Sequence, residues 1–187
     1  MPWDAEHKEQ TRERIVDAAA KLFTQEGFDR VTIDDVMREA SLTRGAFYAH
    51  FKNKAELYQC AIIAGAKQAK RILAMAGERD VSKIAEHYLA IGDAEHHDIY
   101  CPLAFFVTDM TQRDEAIRQT YTRALAGYIE LLQGMQLPAA RARQTAVMMI
   151  GGLALARATT DSNLKRQLLD DCLAGVRDLV ALSAAAS

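Results

Sequence analysis

Between Leu42 and Ala55 the chain carries Arg44, Lys52 and Lys54 with no acid among them, and Thr43, Tyr48 and His50 are interleaved. Cations mixed with hydroxyl and imidazole donors suit the oxygens of a phosphodiester backbone. Thr43 stands where it can cap a short helix, and the first free amides of that helix, those of Arg44 and Gly45, can face an anion. Gly45 has no side chain to obstruct the approach. Tyr48 and His50 can donate to phosphates from the helix body, and Lys54 from the first turn of the next helix. Base reading then falls to Arg44, whose fork matches guanine, and to Ala46, whose methyl can meet that of thymine.

Other chemistries find little support. Glu-x-x-His pairs on facing helices, as a di-iron bundle needs, are absent, as are His-Glu-x-x-His and Gly-rich phosphate loops. No catalytic residue is assigned and no enzyme is expected. Asp93, Glu95, His96, His97 and Asp98, with His87 upstream, are read as a solvated loop instead of a metal site, because adjacent histidines rarely point at one ion. Three cysteines, Cys60, Cys101 and Cys172, are too few and too scattered for a disulfide framework. Cys101 before Pro102 opens a helix where a thiol can become reactive, but a small buried cysteine is the plainer reading. A helix-turn-helix used only to bind another protein remains the rival to a nucleic-acid role.

These residues need elements to carry them. Ten Gly and three Pro in 187 residues, with half the residues hydrophobic, leave few turns for a β architecture, so an all-α chain is expected. Ile15, Ala18, Ala19, Leu22 and Phe23 repeat at helical spacing, and Gly27 ends that helix. Thr32 and Asp35 form a capping box before a second, two-turn helix containing Val36 and Met37. Ser41-Leu42-Thr43 then turns into a third helix through Phe51, with Phe47 and Phe51 facing inward. Longer helices are predicted from Lys54 to about Ala76, Val81 to Ile91, Arg113 to Gln136 and Leu164 to Leu182, with a short one after Pro102. Residues 1–60 hold nine bases against eleven acids, so no broad basic field exists and any duplex contact must be local.

The run Thr32-Ile33-x-x-Val36-x-x-x-Ala40-x-Leu42-Thr43-x-Gly45-Ala46-Phe47-Tyr48-x-His50-Phe51-x-x-Lys54-x-x-Leu57 closely resembles the DNA-binding motif of the TetR family of transcriptional regulators. The resemblance implies a ligand-responsive repressor acting as a homodimer on a palindromic operator of double-stranded DNA. It divides the chain into a helix-turn-helix domain at 1–53 and a helical ligand-binding and dimerisation domain at 54–187. It puts Thr32, Thr43, Gly45, Tyr48, His50 and Lys54 at backbone-contact positions and Arg44 and Ala46 at base-facing ones. Ser41 departs from the pattern, standing where the family usually has glycine, and a left-handed Ser would be strained by about 1 kcal/mol or more.

The implied effector is an unidentified small molecule, with no cofactor. Phe105, Phe106, Met110, Tyr121, Tyr128 and Met148, with Tyr100, are candidates to line its pocket. Every residue from Ala146 to Ala156 is apolar or glycine, and the 164–182 helix is apolar over half its circumference. That surplus suggests a two-fold four-helix interface with Met149, Gly152, Leu153, Leu169, Leu173, Val176 and Val180, the alternative being one larger monomeric bundle. A charged start and the lack of an apolar run near 18 residues point to a cytoplasmic location without a membrane partner.

Overall fold

A computed structural model describes residues 2–76, 79–92 and 101–184, and all regular structure among them is helical. The order is α1 (Pro2–Glu26), α2 (Ile33–Glu39), α3 (Arg44–Phe47), α4 (Lys54–Ala76), α5 (Val81–Ala90), α6 (Pro102–Phe105), α7 (Val107–Met110), α8 (Glu115–Gln133), α9 (Ala139–Ala158) and α10 (Ser162–Ala184). The expected all-α class is therefore observed, with an N-terminal helix-turn-helix and a helical C-terminal part. The segment after Pro102 forms two short helices where one is expected, and α1 starts earlier than its apolar stripe. Among the described residues no helix is long and apolar enough to cross a membrane.

By contact density the chain forms two units, residues 1–68 with 100–122, and residues 69–99 with 123–187. In the first, α1 packs on α2 and α2 on α3, and Ile15, Ala19 and Phe23 of α1, Val36 and Met37 of α2 and Phe47 of α3 are all buried. An aromatic chain continues that core: the Tyr58 ring lies 4.9 Å from each of Phe23, Phe28 and Phe106. α4 and α6 meet closely at Gly65, where a β-carbon would stand 2.8 Å from the Pro102 ring. Only glycine permits that approach.

In the second unit α10 packs along α9, and α5 packs against both. Leu89, Ala156 and Leu169 form the centre, with Tyr88, Cys172 and Leu173 partly covered around them. A β-carbon at Gly152 would come within 2.6 Å of Cys172 Sγ, so this glycine serves the contact between α9 and α10 of one chain.

Candidate nucleic-acid interface

The helix-turn-helix is built by caps at both ends of α2. Thr32 Oγ1 accepts from Asp35 N at 3.2 Å while Asp35 Oδ2 accepts from Thr32 N at 3.0 Å, the reciprocal box expected from the sequence. At the other end Leu42 N donates to Met37 O at 2.9 Å and Ser41 N to Arg38 O at 3.0 Å, which is a Schellman closure. That closure needs a left-handed residue, and Ser41 supplies it at φ 54°. The third helix is shorter than predicted: it ends at Phe47, after which Phe51 N and His50 N both donate to Phe47 O at 2.9 Å in a tightened turn. Phe47 and Phe51 are buried as expected, which anchors that turn.

The residues read as DNA-contacting do not all stand equally free. Thr43 is the N-cap residue of α3, exposed, and its hydroxyl makes no capping bond. Arg44 and Gly45 are exposed and Ala46 is half-buried. A β-carbon at Gly45 would meet nothing of the chain within 4 Å, so the fold itself does not demand glycine there. Tyr48 is 59% exposed, an unusual position for a large aromatic. The hydroxyl of Thr32 is engaged in the cap, leaving this residue a role in fixing α2.

Arg44 Nη1 donates to Asp34 Oδ2 at 2.6 Å, and hydrogen bonding with Tyr48 followed by the Asp34 charge raises its already high pKa. Arg38 pairs with Asp35 and Lys21 with Glu39 in the same way. His50 is half-buried, with Nδ1 covered and lacking a hydrogen-bond partner. Burial first, then the charges of Lys8 and Arg12, push its pKa below the ordinary histidine value, which favours the neutral ring.

Lys54 has a second occupation that sequence reasoning missed. Its Nζ donates to the carbonyls of Phe28 at 2.7 Å and Val31 at 3.0 Å, and it lies 4.2 Å from the Phe28 ring centroid. Burial lowers its pKa. An ammonium has three donors, and these carbonyls take two of them. The 28–31 loop is also held by residues far along the chain: Asp109 Oδ2 accepts from Phe28 N at 3.0 Å, and Arg113 binds both carboxylate oxygens of Asp29 at 2.9 and 2.6 Å. No local spacing signals partners 81 and 84 residues apart.

The residues expected to line a pocket fall in both units. In the first, Phe106 and Met110 are buried, Phe105 is half-buried, and Tyr121 donates to Leu103 O at 2.6 Å. In the second, Tyr128 donates to Met149 Sδ at 3.3 Å and stacks on Tyr88, while Met148 is half-buried against Gly175. Of the residues expected on a dimer face, Met149, Gly152, Leu153, Leu169 and Val176 are buried within the chain's own second unit, and Leu173 and Val180 are half-buried. The large apolar side chains that α9 leaves in solvent are instead Val147, 71% exposed, and Leu155, 58% exposed. Val147 also lines an open depression with Ala140, Arg143, Gln144, Met148 and Leu179. Cys101 is buried. Tyr100 and the 93–98 polar cluster lie outside the described residues, and among the described residues no group of three His, Cys, Asp or Glu could hold a metal ion.

A capped helix, a four-residue turn closure and a short second helix with an exposed Tyr and Arg define a helix-turn-helix protein of the all-α class. Residues 15–60 match the model of bacterial regulatory proteins, tetR family. The chain is 43% identical over 58 residues to the HTH-type transcriptional regulator SrpR of Pseudomonas putida, covering 31% of this chain and 27% of SrpR. It is 46% identical over 54 residues to the HTH-type transcriptional regulator TtgR, also of Pseudomonas putida, covering 29% of this chain and 26% of TtgR. The chain thus spans about a quarter of the length of these curated relatives.

Among solved structures, the TetR-family transcriptional regulator from Cytophaga hutchinsonii superposes with a TM-score of 0.75 at 18% identity, covering 94% of this chain and 95% of that one. The reduced form of E. coli NemR gives 0.72 at 18% identity, covering 90% and 96%. Residues 15–60 thus match the tetR family model, and the chain has the fold of the TetR-family regulator from Cytophaga hutchinsonii.

Proposed function

We propose that this chain is a sequence-specific DNA-binding transcriptional regulator. Residues 1–53 form the duplex-binding head, and residues 54–187 form a helical domain for dimerisation and effector binding. The observation that carries the reading is the exposed face of the third helix, where Tyr48, Arg44 and Thr43 stand in solvent while Phe47 and Phe51 hold the same segment from within. Tyr48, Thr43 and Lys54 contact phosphates, with His50 adding a neutral donor. Arg44 and Ala46 face base edges. A duplex acceptor replaces Asp34 as the partner of Arg44.

The chain works as a homodimer on a two-fold operator, in the cytoplasm, as a repressor released by a small molecule. Val147 and Leu155 on α9, with the depression that Val147 lines, support a self-complementary face there. Selection of duplexes from a random pool by the purified protein tests the reading. Enriched sequences with two related halves, bound with an affinity that falls steeply with salt, are expected. Recovery of no preferred sequence overturns it.

A further inference from the structure

The loop that joins α1 to α2 leads directly into the Thr32 cap, so its placement sets where α2 begins. From one side the loop is held by α4: Lys54 Nζ bonds the carbonyls of Phe28 and Val31 and lies against the Phe28 ring. Residues 109–113 hold it as well. Asp109 Oδ2 accepts from Phe28 N at 3.0 Å and from Tyr58 Oη at 3.3 Å. Arg113 grips Asp29 with two parallel bonds and places Cζ 4.6 Å from the Phe28 ring centroid, and its Nε donates to Asp109 O at 3.3 Å. The Arg113 side chain is only 9% exposed, whereas that of Asp29 is 73% exposed. A guanidinium so covered, with both terminal nitrogens on one carboxylate, has a fixed direction, and it fixes the loop in turn.

We propose that Asp109 and Arg113, outside the matched 15–60 segment, are positioning residues for duplex binding: they hold the 28–31 loop so that Lys54 and the Thr32 cap sit where phosphates are met. The proposal rests on the DNA-binding reading above. The two bonds to the loop carbonyls fix the position of the Lys54 ammonium. When the loop moves, the ammonium loses its aim. Neither Asp109 nor Arg113 needs to touch DNA for this effect.

The experiment compares wild type with Asp29→Asn and Arg113→Lys. Each is titrated with a duplex selected from a random pool by the wild-type protein, over 50 to 200 mM salt. By charge alone Asp29→Asn, which removes an acid, strengthens binding, and Arg113→Lys leaves it unchanged. Positioning predicts that both weaken it, with Asp29→Glu close to wild type because it keeps the fork partner. For one lost phosphate contact per chain, hence two per dimer, the deficit at 50 mM is about 12-fold larger than at 200 mM, since the logarithmic salt slope drops by about 0.9 per contact. Circular dichroism and a thermal melt establish that the variants are folded.

A second measurement uses wild type alone. Bound duplex slows amide hydrogen exchange across residues 107–113, because coupling between two sites is reciprocal. Strengthened binding by Asp29→Asn, unchanged binding by Arg113→Lys, or unaltered exchange at 107–113 overturns the proposal. Wild type that selects no duplex overturns the DNA reading itself, a separate result.

Discussion

Replacing Ser41 by glycine should stabilise the protein. Ser41 sits at φ 54° in the closing turn of α2, is exposed, and no hydrogen bond from its hydroxyl is among those of the described residues. A non-glycine residue in the left-handed region is strained by about 1–2 kcal/mol. Glycine removes that strain without disturbing the bonds from Ser41 N to Arg38 O and Leu42 N to Met37 O, which are backbone only. Against this gain, glycine gives the unfolded chain about 0.4–1 kcal/mol of extra freedom. The net expectation is about 0.5–1 kcal/mol of added stability, roughly a 1–4 °C rise in midpoint for a chain of this size. Guanidinium titration and scanning calorimetry on wild type, Ser41→Gly and Ser41→Ala would measure it, with alanine close to wild type because it keeps the strain. A glycine variant no more stable than wild type would refute the argument, since the strain would then have to be absorbed elsewhere.

Four further outcomes follow from the same geometry. Tyr48→Phe removes the hydroxyl of an exposed ring, the partner of Arg44, and should weaken binding to all duplexes, read as a loss in anisotropy titrations. Arg44→Ala should cost about 1–3 kcal/mol at particular base positions and relax preference there, visible in a repeated selection. Val147→Glu puts a charge on the exposed apolar face of α9 and should yield monomers by sedimentation, with the head still folded. His50 has a depressed folded pKa, caused first by burial, so its neutral form favours the native state. Its contribution is present above the unfolded value of about 6.5 and is lost as pH falls through the folded value. His50→Gln should therefore flatten the decline of stability with acidification in that window, as followed by denaturant midpoints.

What could be read beforehand was local. The Thr32 and Asp35 box lies within one helical turn, and the inward pair Phe47 and Phe51 is four residues apart, so residue type and spacing alone specify both. The departure at Ser41 was legible only against the family resemblance, whose glycine at that turn is the residue a left-handed conformation prefers. The bracket of Asp109 and Arg113 on Phe28 and Asp29 was not, because pairing between distant segments depends on how helices pack. Lys54 shows the same limit, since a cation in a binding motif gives no hint that two of its protons are held by carbonyls. On α9 the unbroken apolar run hid which side faces inward. Coordinates separate buried Met149 and Leu153 from exposed Val147 and Leu155, a distinction that an all-apolar pattern cannot carry.

The pairing of Arg44 with Asp34 has a kinetic consequence. Lys21 and Arg38 are likewise matched by acids, and residues 1–60 carry eleven acids to nine bases. Such a surface casts little field beyond a screening length of about 8 Å at physiological ionic strength. Under the proposed DNA-binding function, encounters with a duplex would be unsteered, with association expected near the neutral range of about 10⁵–10⁶ M⁻¹ s⁻¹. On that reading the guanidinium gains its pull only at touching distance, once a base edge displaces the carboxylate, so the molecule would search without being drawn and commit late.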